Sequence, residues 1–466
     1  MATTSAPSLT PTAPDHVRTV IQGCAIATMD PARTELSNGY VVISGNRIEA
    51  VGEGTAPEVV GVRVVNGGGC LLTPGLVNTH HHLYQWVTRG IAADATLFEW
   101  LTKLYPVWAG IDEYAVNVAA RGGLAWLART GCTLTSDHHY VFPREGGDLL
   151  GAEIEAARSV GLRFHPARGS MDLGRSQGGL PPDSVVEDRD AALEATEAAV
   201  ARWHDPSPAS MLQIAVAPCS PFSVSSELMS EAASLARRLG VRLHTHLAET
   251  LDEEDFCRER FGCSSMEYAE RLGWLGDDVW FAHGIHLDDG SVKRIGATST
   301  GIAHCPTSNA RLGAGIARTR DLLDAGARVG LGVDGAASNE SASMLEEARH
   351  ALLFARARGG PRALGVRDAL ALATIGGARV LGREDDLGSI EPGKLADLAL
   401  WRLDTIAHAD ITDPVAALIL GSPPPLELLL VDGRVVVEQD RVVTVDESVI
   451  AHEAATVHQS LVRKAG

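Results

Sequence analysis

The sequence predicts an α/β fold in which a (β/α)8 barrel is joined to a small β-sandwich domain built from both chain ends. Short apolar strands alternate with amphipathic helices through the middle of the chain, which is typical of a barrel. β-branched segments separated by Gly, Asn and Asp flank this region on both sides and predict antiparallel strands. A chain of 466 residues with 45% apolar content is long enough to enclose a large core.

The same sequence patterns indicate the expected domain boundaries. We expect residues 1–16 to form a disordered tail, because Ser, Thr, Pro and Ala dominate there. The β-sandwich is predicted over residues 17–73 and 386–450, and the catalytic barrel over residues 74–385. A C-terminal helix or tail is predicted over residues 451–466.

Eight segments are candidates for the barrel strands. Each is short and apolar, and helical runs lie between them, some ending on a glycine such as Gly131 or Gly240. Eight strands that alternate with helices predict a closed parallel barrel. The candidates are residues 76–80, 133–138, 163–168, 214–219, 242–247, 279–283, 301–305 and 329–334.

Charge and cysteine content narrow the classes of partner. A net charge of −19 argues against a nucleic-acid-binding surface, and no apolar run suggests a membrane span. The seven cysteines form no C-x-x-C pair, and the first residues do not read as a signal peptide. We therefore expect a cytoplasmic homo-oligomer with reduced thiols that acts on a small molecule.

Polar residues at the strand ends predict a metal site. In a barrel of this kind the functional side chains stand at the carboxyl ends of the strands. Imidazole and carboxylate groups suit Zn²⁺ or another first-row divalent metal, and the combination is unusual for packing alone. The strand-end residues are His80 and His82 after the first strand, His246 and Glu249 after the fifth, His283 after the sixth and Asp334 after the eighth.

Each of these residues receives a predicted role. His80, His82, His246 and Asp334 are the expected ligands, leaving room for a water whose pKa the metal lowers toward about 7. Glu249 is the expected general acid and base, and Asp334 can also accept a proton from the water. His283 is expected to polarise the substrate or hold the hydroxide. The alternative for His283 is a purely structural histidine.

The run N-T-H-H-H-L-Y-Q, residues 78–85, contains more histidines than one site can use. Consecutive strand residues point to opposite faces, so His80 and His82 share a face while His81 points away from it. We therefore expect His81 to pack in the layer between the barrel and its helices.

Several segments together resemble the signature of the amidohydrolase superfamily. They are P-G-L-V-N-T-H-H-H, H-T-H-L-A-E-T, A-H-G-I-H-L, H-C-P-T-S-N, G-L-G-V-D-G-A-A-S-N-E and the tail L-G-S-I-E-P-G-K-L-A-D-L. The resemblance implies a TIM-type barrel. The fourth strand ends in A-P-C-S-P instead of a lysine, which implies the branch with a single metal, zinc or iron. It assigns the metal to the residues matching His80, His82, His246 and Asp334, with Glu249 and His283 catalytic.

Within that branch the chain resembles the triazine and guanine-type hydrolases, which replace a ring amino group with oxygen. Gln85 matches a glutamine that binds a ring carbonyl or N–H, and Cys219 stands where guanine deaminases carry arginine. These features most resemble 8-oxoguanine deaminases, which form urate and ammonia and also accept isocytosine-like rings. The alternatives are a guanine or isoxanthopterin deaminase, a triazine amino- or chlorohydrolase, and a non-catalytic binding relative.

Several neighbouring residues remain open between substrate binding and packing. Trp86, like the tyrosine at position 84, is expected to stack on a flat ring or else to pack. Cys219 either leaves room for the 8-oxo edge or is a small buried apolar residue. His138 and His139 either line the pocket rim or cap a strand. His244 is expected to support a ligand from behind, as His286 and His304 also can.

Overall fold

A computed structural model of the protein describes residues 18–58 and 61–465. The tail predicted over residues 1–16 lies outside these ranges. Within them the strands are β1 Arg18–Ala27, β2 Glu35–Ser44, β3 Arg47–Glu53, β4 Arg63–Asn66, β5 Cys70–Pro74, β6 Leu76–Asn78, β7 His81–His82, β8 Cys132–His139, β9 Arg163–Ser170, β10 Ala215–Pro218, β11 Leu243–Leu247, β12 Val279–His283, β13 Gly301–His304, β14 Arg328–Leu331, β15 Asp334–Gly335, β16 Leu398–Arg402, β17 Leu426–Val431, β18 Arg434–Glu438 and β19 Arg441–Val442.

The α-helices in the same ranges follow in chain order. They are α1 Leu97–Trp108, α2 Glu113–Arg129, α3 Leu149–Val160, α4 Arg189–Trp203, α5 Ser226–Leu239, α6 Leu251–Phe261, α7 Ser265–Arg271, α8 Asp289–Ala297, α9 Pro306–Arg311, α10 Thr319–Asp324, α11 Met344–Gly359, α12 Val366–Ala371, α13 Gly377–Val380, α14 Pro414–Leu420 and α15 Glu447–Ala465. Short 3₁₀ helices span Leu83–Thr88 and Arg175–Gln177, and a π-turn at Leu372–Gly376 joins α12 to α13. No helix in the described ranges is long and apolar enough to cross a bilayer.

The central strands form a closed barrel, which confirms the predicted fold class. Its strand order is β6-β8-β9-β10-β11-β12-β13-β14, and β14 pairs with β6 to close it, with all pairs parallel. These are the eight segments that the sequence predicted, with ends that differ by a few residues. Parallel strands require crossover connections, and the helices supply them.

Helix α5 illustrates how the sequence builds the outer layer. The Ser225 side chain accepts a hydrogen bond from the Leu228 amide at its start, and Gly240 ends it with a left-handed φ of 70°. Its buried face is apolar, while Arg237 and Arg238 occupy the last turn, where positive charge suits the helix dipole. The helix packs against β10 through this apolar face.

Both chain ends build a second sheet, as predicted. Its strand order is β19-β18-β17-β16-β5-β1-β2-β3, with β4 on the other side of β1. The apolar side chains on one face of this sheet enclose a core of their own, which includes Ile21, Ile43, Leu72, Leu400 and Leu428. The C-terminal helix α15 starts at Glu447, earlier than the expected residue 451, and buries Ile450, Val457 and Leu461.

A buried arginine ties this sheet to the base of the barrel. Arg163, the first residue of β9, is completely buried and donates to Asp397 at 2.9 and 3.1 Å. It also donates to Asp432 at 2.7 Å, next to β17. Asp397 precedes β16 and Asp432 follows β17, so one guanidinium joins the second sheet to the barrel.

Replacing Arg163 with Met is expected to destabilise the protein by about 3–5 kcal/mol, because the Asp397 charge would stay buried without a partner. Arg18→Met is the matched control, since Arg18 and Glu49 form an exposed pair at 3.3 Å, and pairs of this kind contribute about 1 kcal/mol or less. Urea unfolding measures both changes. Equal midpoints for the two variants would contradict this role for Arg163.

Candidate active site

The backbone brings the first and last strands together at the mouth of the barrel. The short strands β7 and β15 pair in parallel, with His81 opposite Asp334. The Asp334 amide also donates to the His80 carbonyl at 3.0 Å. The side chains of strands one and eight therefore converge although about 250 residues separate them in the chain.

Four predicted residues meet at this point. The ligand atoms of His80, His82, His246 and Asp334 all lie within 4.8 Å of one another, and all four residues are buried. The Asp334 Oδ1 atom lies 3.2 Å from His80 Nε2 and 3.3 Å from His82 Nε2. The Nε2 atoms of His82 and His246 are 3.1 Å apart.

The protonation of His80 follows from the residues behind it. His244 Nδ1 lies 3.0 Å from the Trp280 carbonyl, so Nδ1 carries the proton. Burial lowers the pKa values of His244 and His80, so both rings are neutral and His244 Nε2 is an acceptor. His80 Nδ1 therefore donates to it at 2.8 Å, and the lone pair of His80 lies on Nε2, toward Asp334.

The other two rings are fixed in the same way. His82 Nδ1 lies 2.7 Å from the His138 carbonyl, and His246 Nδ1 lies 2.7 Å from the Cys219 carbonyl. Both therefore donate through Nδ1 and present a lone pair on Nε2. Burial also lowers the pKa of His246 to about 3, which keeps that ring neutral.

Three imidazole lone pairs and one carboxylate oxygen thus face each other with no hydrogen between them. These four lone-pair-bearing atoms would repel one another without a cation, and they suit a divalent metal. The second oxygen of Asp334 is already used, because Ser308 donates to it at 2.6 Å. These four described residues therefore form a cluster that could hold a metal ion.

Glu249 and His283 stand beside this cluster. The Glu249 carboxylate lies 3.5 Å from His283 Nε2, and both residues are buried. Burial, and then the charge of Asp334, raise the pKa of Glu249 well above its usual value. The carboxyl can therefore hold a proton near neutral pH. His283 Nδ1 donates to the Asn309 side-chain oxygen at 2.9 Å, which leaves Nε2 facing the cavity.

A second carboxylate shapes the turn that carries Glu249. Glu253, in the first turn of α6, accepts hydrogen bonds from the amides of Ala248 and Glu249 at 2.7 and 3.2 Å. Ala248 has a φ of 54°, which is unusual for a residue with a side chain. The two hydrogen bonds hold this turn and direct Glu249 toward the metal cluster.

His82, His246 and Asp334 of this cluster line a small cavity of about 30 Å³. Apolar and aromatic side chains make up much of its wall, while the polar groups gather near the metal cluster. The lining residues beyond the predicted ones are Leu97, Trp100, Leu101, Tyr105, Tyr140, Ser220, Phe222, Leu312 and Ser338. The chemical character of this lining suits an uncharged ring with a few polar groups better than a charged ligand.

Gln85 and Cys219 both line this cavity. The Gln85 amide is fully buried, and neither its oxygen nor its nitrogen has a hydrogen-bond partner in the described residues. Gly335 makes room for it, because a Cβ there would lie 1.8 Å from Gln85 Oε1. Burial raises the pKa of the Cys219 thiol to about 12, so the thiol stays protonated.

The structure corrects the expectation for Trp86. Its ring does not line the cavity; it lies in a surface groove between α2 and α15, next to Gly122. The Arg89 guanidinium stacks on it, 3.7 Å from the ring centroid. Tyr84 is buried among Trp108, His139 and Tyr140 and is likewise absent from the cavity lining. Neither aromatic ring can stack on a ligand in the cavity.

The remaining histidines also lie off the cavity lining. His138 donates through Nε2 to the Ala217 carbonyl at 2.8 Å inside the barrel. His139 contacts Glu153 at 2.7 Å, toward the helix layer. His304 is buried with its Nδ1 atom unpartnered among the described residues, and His286 Nε2 lies 2.9 Å from the Ala314 carbonyl. Outside the cluster, His244 forms a hydrogen bond with the ring of His80, and the His138 ring stacks on His246 with 4.8 Å between the ring centroids.

Comparison with known proteins agrees with this geometry. The sequence profile of the Amidohydrolase family matches residues 71–436. The chain belongs to the amidohydrolase family. The predicted metal-dependent hydrolase is thus confirmed at the level of enzyme class, on the predicted barrel fold.

Three relatives illustrate the range of this family. The chain is 44% identical to the 8-oxoguanine deaminase of Pseudomonas aeruginosa over 86% of this chain and 89% of the relative. It is 38% identical to an isoxanthopterin deaminase from an unknown prokaryotic organism, over 93% and 94%. A zinc complex of atrazine chlorohydrolase from Arthrobacter aurescens TC1 superimposes with a TM-score of 0.90 at 34% identity, covering 94% of this amidohydrolase and all of that chain.

His81 is positioned to support the fold and not the metal. A Cβ on Gly123 of α2 would lie 3.6 Å from His81 Nε2, which places the ring in the barrel–helix layer. Its Nδ1 atom accepts a hydrogen bond from the His82 amide at 2.8 Å. This is the orientation that the period of two in the first strand predicts.

We expect His81→Ala to retain about one equivalent of metal and to lower the unfolding temperature, because it leaves a cavity beside α2. His82→Ala is the matched comparison and is expected to lose most of its metal, since it removes a ligand. Metal analysis of both purified proteins, with thermal unfolding, makes the test. Equal metal loss in the two variants would contradict this register.

Proposed function

We propose that this amidohydrolase deaminates 8-oxoguanine to urate and ammonia with one bound zinc ion. The observation that carries the proposal is the buried Gln85 amide, which has no hydrogen-bond partner in the described residues and lines the same cavity as the metal cluster. The 44% identity to an 8-oxoguanine deaminase supports the choice of base. The zinc-complexed chlorohydrolase with the same fold supports the choice of metal.

His80, His82, His246 and Asp334 would hold the zinc ion. When bound, zinc lowers the pKa of a coordinated water toward about 7 and so supplies a nucleophile at neutral pH. Among the protein groups, Glu249 takes the first water proton and delivers it to the ring nitrogen as the C–O bond forms. His283 faces the same region through Nε2 and stabilises the oxygen that gains charge.

The second half of the reaction returns the protein to its starting state. The tetrahedral carbon carries the new hydroxyl group and the original amino group. Asp334 takes the hydroxyl proton and transfers it to the amino group, which leaves as ammonia when the C–N bond breaks. The carbon becomes a carbonyl, so one water is consumed and one ammonia is released for each urate formed.

The cavity wall supplies the selectivity. Gln85 offers both an acceptor and two donor hydrogens, which suits the adjacent carbonyl and N–H groups of an oxopurine. The neutral Cys219 thiol is small and carries no charge, so it leaves space at the edge where an arginine would exclude an extra oxygen. A buried amide left unpaired by a ligand that lacks these groups would weaken binding.

The second candidate is a triazine hydrolase, which the chlorohydrolase fold match favours. A chlorinated triazine carries no carbonyl next to a ring N–H, so it would leave the Gln85 amide without its partners, whereas a hydroxylated triazine has this pair. The isoxanthopterin deaminase relative supports a third base with an amide edge similar to that of an oxopurine. Measured turnover separates these candidates.

A substrate panel tests the proposal directly. We expect kcat/KM for 8-oxoguanine to exceed that for guanine by about tenfold or more, because a site built around polar groups discriminates strongly. Isocytosine, isoxanthopterin and hydroxylated triazines complete the panel, with ammonia release as the readout and metal analysis on the same sample. A higher value for a triazine than for 8-oxoguanine would replace the proposed substrate.

Glu249→Gln tests the proton transfer separately from metal binding. The amide keeps the shape of the side chain but cannot shuttle a proton, so we expect kcat to fall by about 10²–10⁴-fold. Metal content should stay near one equivalent, since Glu249 lies outside the four-residue metal cluster. Turnover close to that of the unchanged enzyme would rule out this role for Glu249.

A further inference from the structure

A second buried cluster lies on the helix side of strand β8, outside the cavity lining. Asp137 and His139 come from this strand and Glu153 from α3, and all three are completely buried. One ligand-type atom from each residue lies within 4.8 Å of the other two. Asp137 Oδ1 also accepts a hydrogen bond from the Leu83 amide at 2.6 Å. The cluster is therefore connected to the segment that follows the ligand His82.

The spacing within this cluster indicates hydrogen bonds. His139 Nδ1 and Glu153 Oε1 are 2.7 Å apart, whereas the nearest atoms of the catalytic metal cluster are 3.1–3.3 Å apart. Two ligands of a tetrahedral zinc ion lie about 3.4 Å from each other. A contact of 2.7 Å is instead the usual length of a hydrogen bond.

The donors and acceptors can be assigned along the whole cluster. His139 Nε2 donates to the Val141 carbonyl at 2.9 Å, so Nδ1 of the neutral ring is an acceptor. Glu153 must then donate to Nδ1 as a carboxylic acid. The second oxygens of Glu153 and Asp137 have no other partner in the described residues, so a protonated Asp137 can donate to Glu153. Burial raises the pKa values of both acids and lowers that of His139 to about 4.

This assignment makes a continuous one-directional chain. The Leu83 amide donates to Asp137, Asp137 to Glu153, Glu153 to His139, and His139 to the Val141 carbonyl. Each group is neutral and has a partner, which is the condition for a stable buried polar network. Because Asp137 is the member that accepts from Leu83, the chain fixes the position of its Oδ1 atom and with it the Leu83 amide.

The Leu83 amide begins the 3₁₀ helix Leu83–Thr88, which carries Gln85. No contact of hydrogen-bond geometry holds the Gln85 side chain in the described residues, although the Tyr84 hydroxyl lies near it, so the backbone of this short helix and packing position its amide. We propose that Asp137, held by Glu153 and His139, is a positioning residue that fixes Gln85 for substrate recognition. This inference rests on the proposed function, which assigns Gln85 to the substrate.

The test compares alanine with amide replacements. Asp137→Asn and Glu153→Gln keep one acceptor and one donor each, so they can replace a neutral acid in this chain. We expect KM within about twofold of the unchanged enzyme for both amides, and a rise of about tenfold or more for Asp137→Ala and Glu153→Ala. kcat and the metal content should change little in all four variants. A general loss of folding would instead lower kcat and the metal content together.

A double substitution identifies the residue through which Asp137 acts. In a Gln85→Ala background, Asp137→Ala should add little further rise in KM, because the group that it positions is already absent. Additive effects would overturn the proposal, as would an Asp137→Asn variant as impaired as Asp137→Ala. Loss of a second equivalent of metal from Glu153→Gln would show a metal site in place of the hydrogen-bonded chain.

Amide hydrogen exchange gives a readout that needs no substrate. Exchange over Leu83–Thr88 should accelerate in Asp137→Ala and stay unchanged in Asp137→Asn. If no base in the panel is turned over, the proposed function fails while this measurement still tests the positioning role. If Asp137→Ala does not fold, the Glu153→Ala and Glu153→Gln pair provides the same comparison. Equal exchange in the alanine and amide variants would contradict the proposal.

Discussion

The structure depends on one constraint, which is that three imidazole lone pairs and a carboxylate oxygen must face a common point. Each ring is held in the required tautomer by a backbone carbonyl, directly for His82 and His246 and through His244 for His80. Those carbonyls belong to other barrel strands or to the ends of these strands. The parallel barrel therefore supplies both the ligands and the groups that orient them.

Strained backbone at the strand ends accompanies this arrangement. Ala248, His283 and Asp334 all have positive φ values, between 54° and 73°. Residues with side chains seldom adopt this conformation, and it costs free energy that surrounding contacts must offset. Here the sharp turns direct the carboxylates and the imidazole into the barrel mouth. The strained residue thus lets the chain turn sharply at the end of a strand, so that its side chain points into the site.

The barrel, and the meeting of the four strand-end residues at its mouth, could be predicted because both depend on short-range patterns. Strand period and strand-end position were enough to separate His81 from its neighbours and to group His80 with His82. For Trp86 the sequence left stacking and packing open, and the 3₁₀ helix that begins at Leu83 decides for packing. Adjacent residues of such a helix point about 120° apart, so Gln85 and Trp86 cannot share a target.

Other site residues had no signal in the sequence. Tyr140, Trp100 and Phe222 reach the cavity from segments whose approach is decided by tertiary packing. The Asn309 side chain accepts the hydrogen bond that orients His283, and nothing in the local sequence marks it for this role. Hydrogen-bond partners far apart in the chain depend on three-dimensional placement, which no local periodicity encodes.

The close approach of Gly335 to Gln85 has an evolutionary consequence. The eighth-strand turn contributes the ligand Asp334 and, one residue later, the empty space that the glutamine amide fills. Any side chain at position 335 would have to displace that amide, so positions 85 and 335 are coupled by volume. A smaller side chain at position 85 would therefore allow a larger one at position 335, and the reverse, while the metal-ligand residues stay the same. Among related sequences, we expect substitutions at positions 85 and 335 to occur together more often than at either position alone.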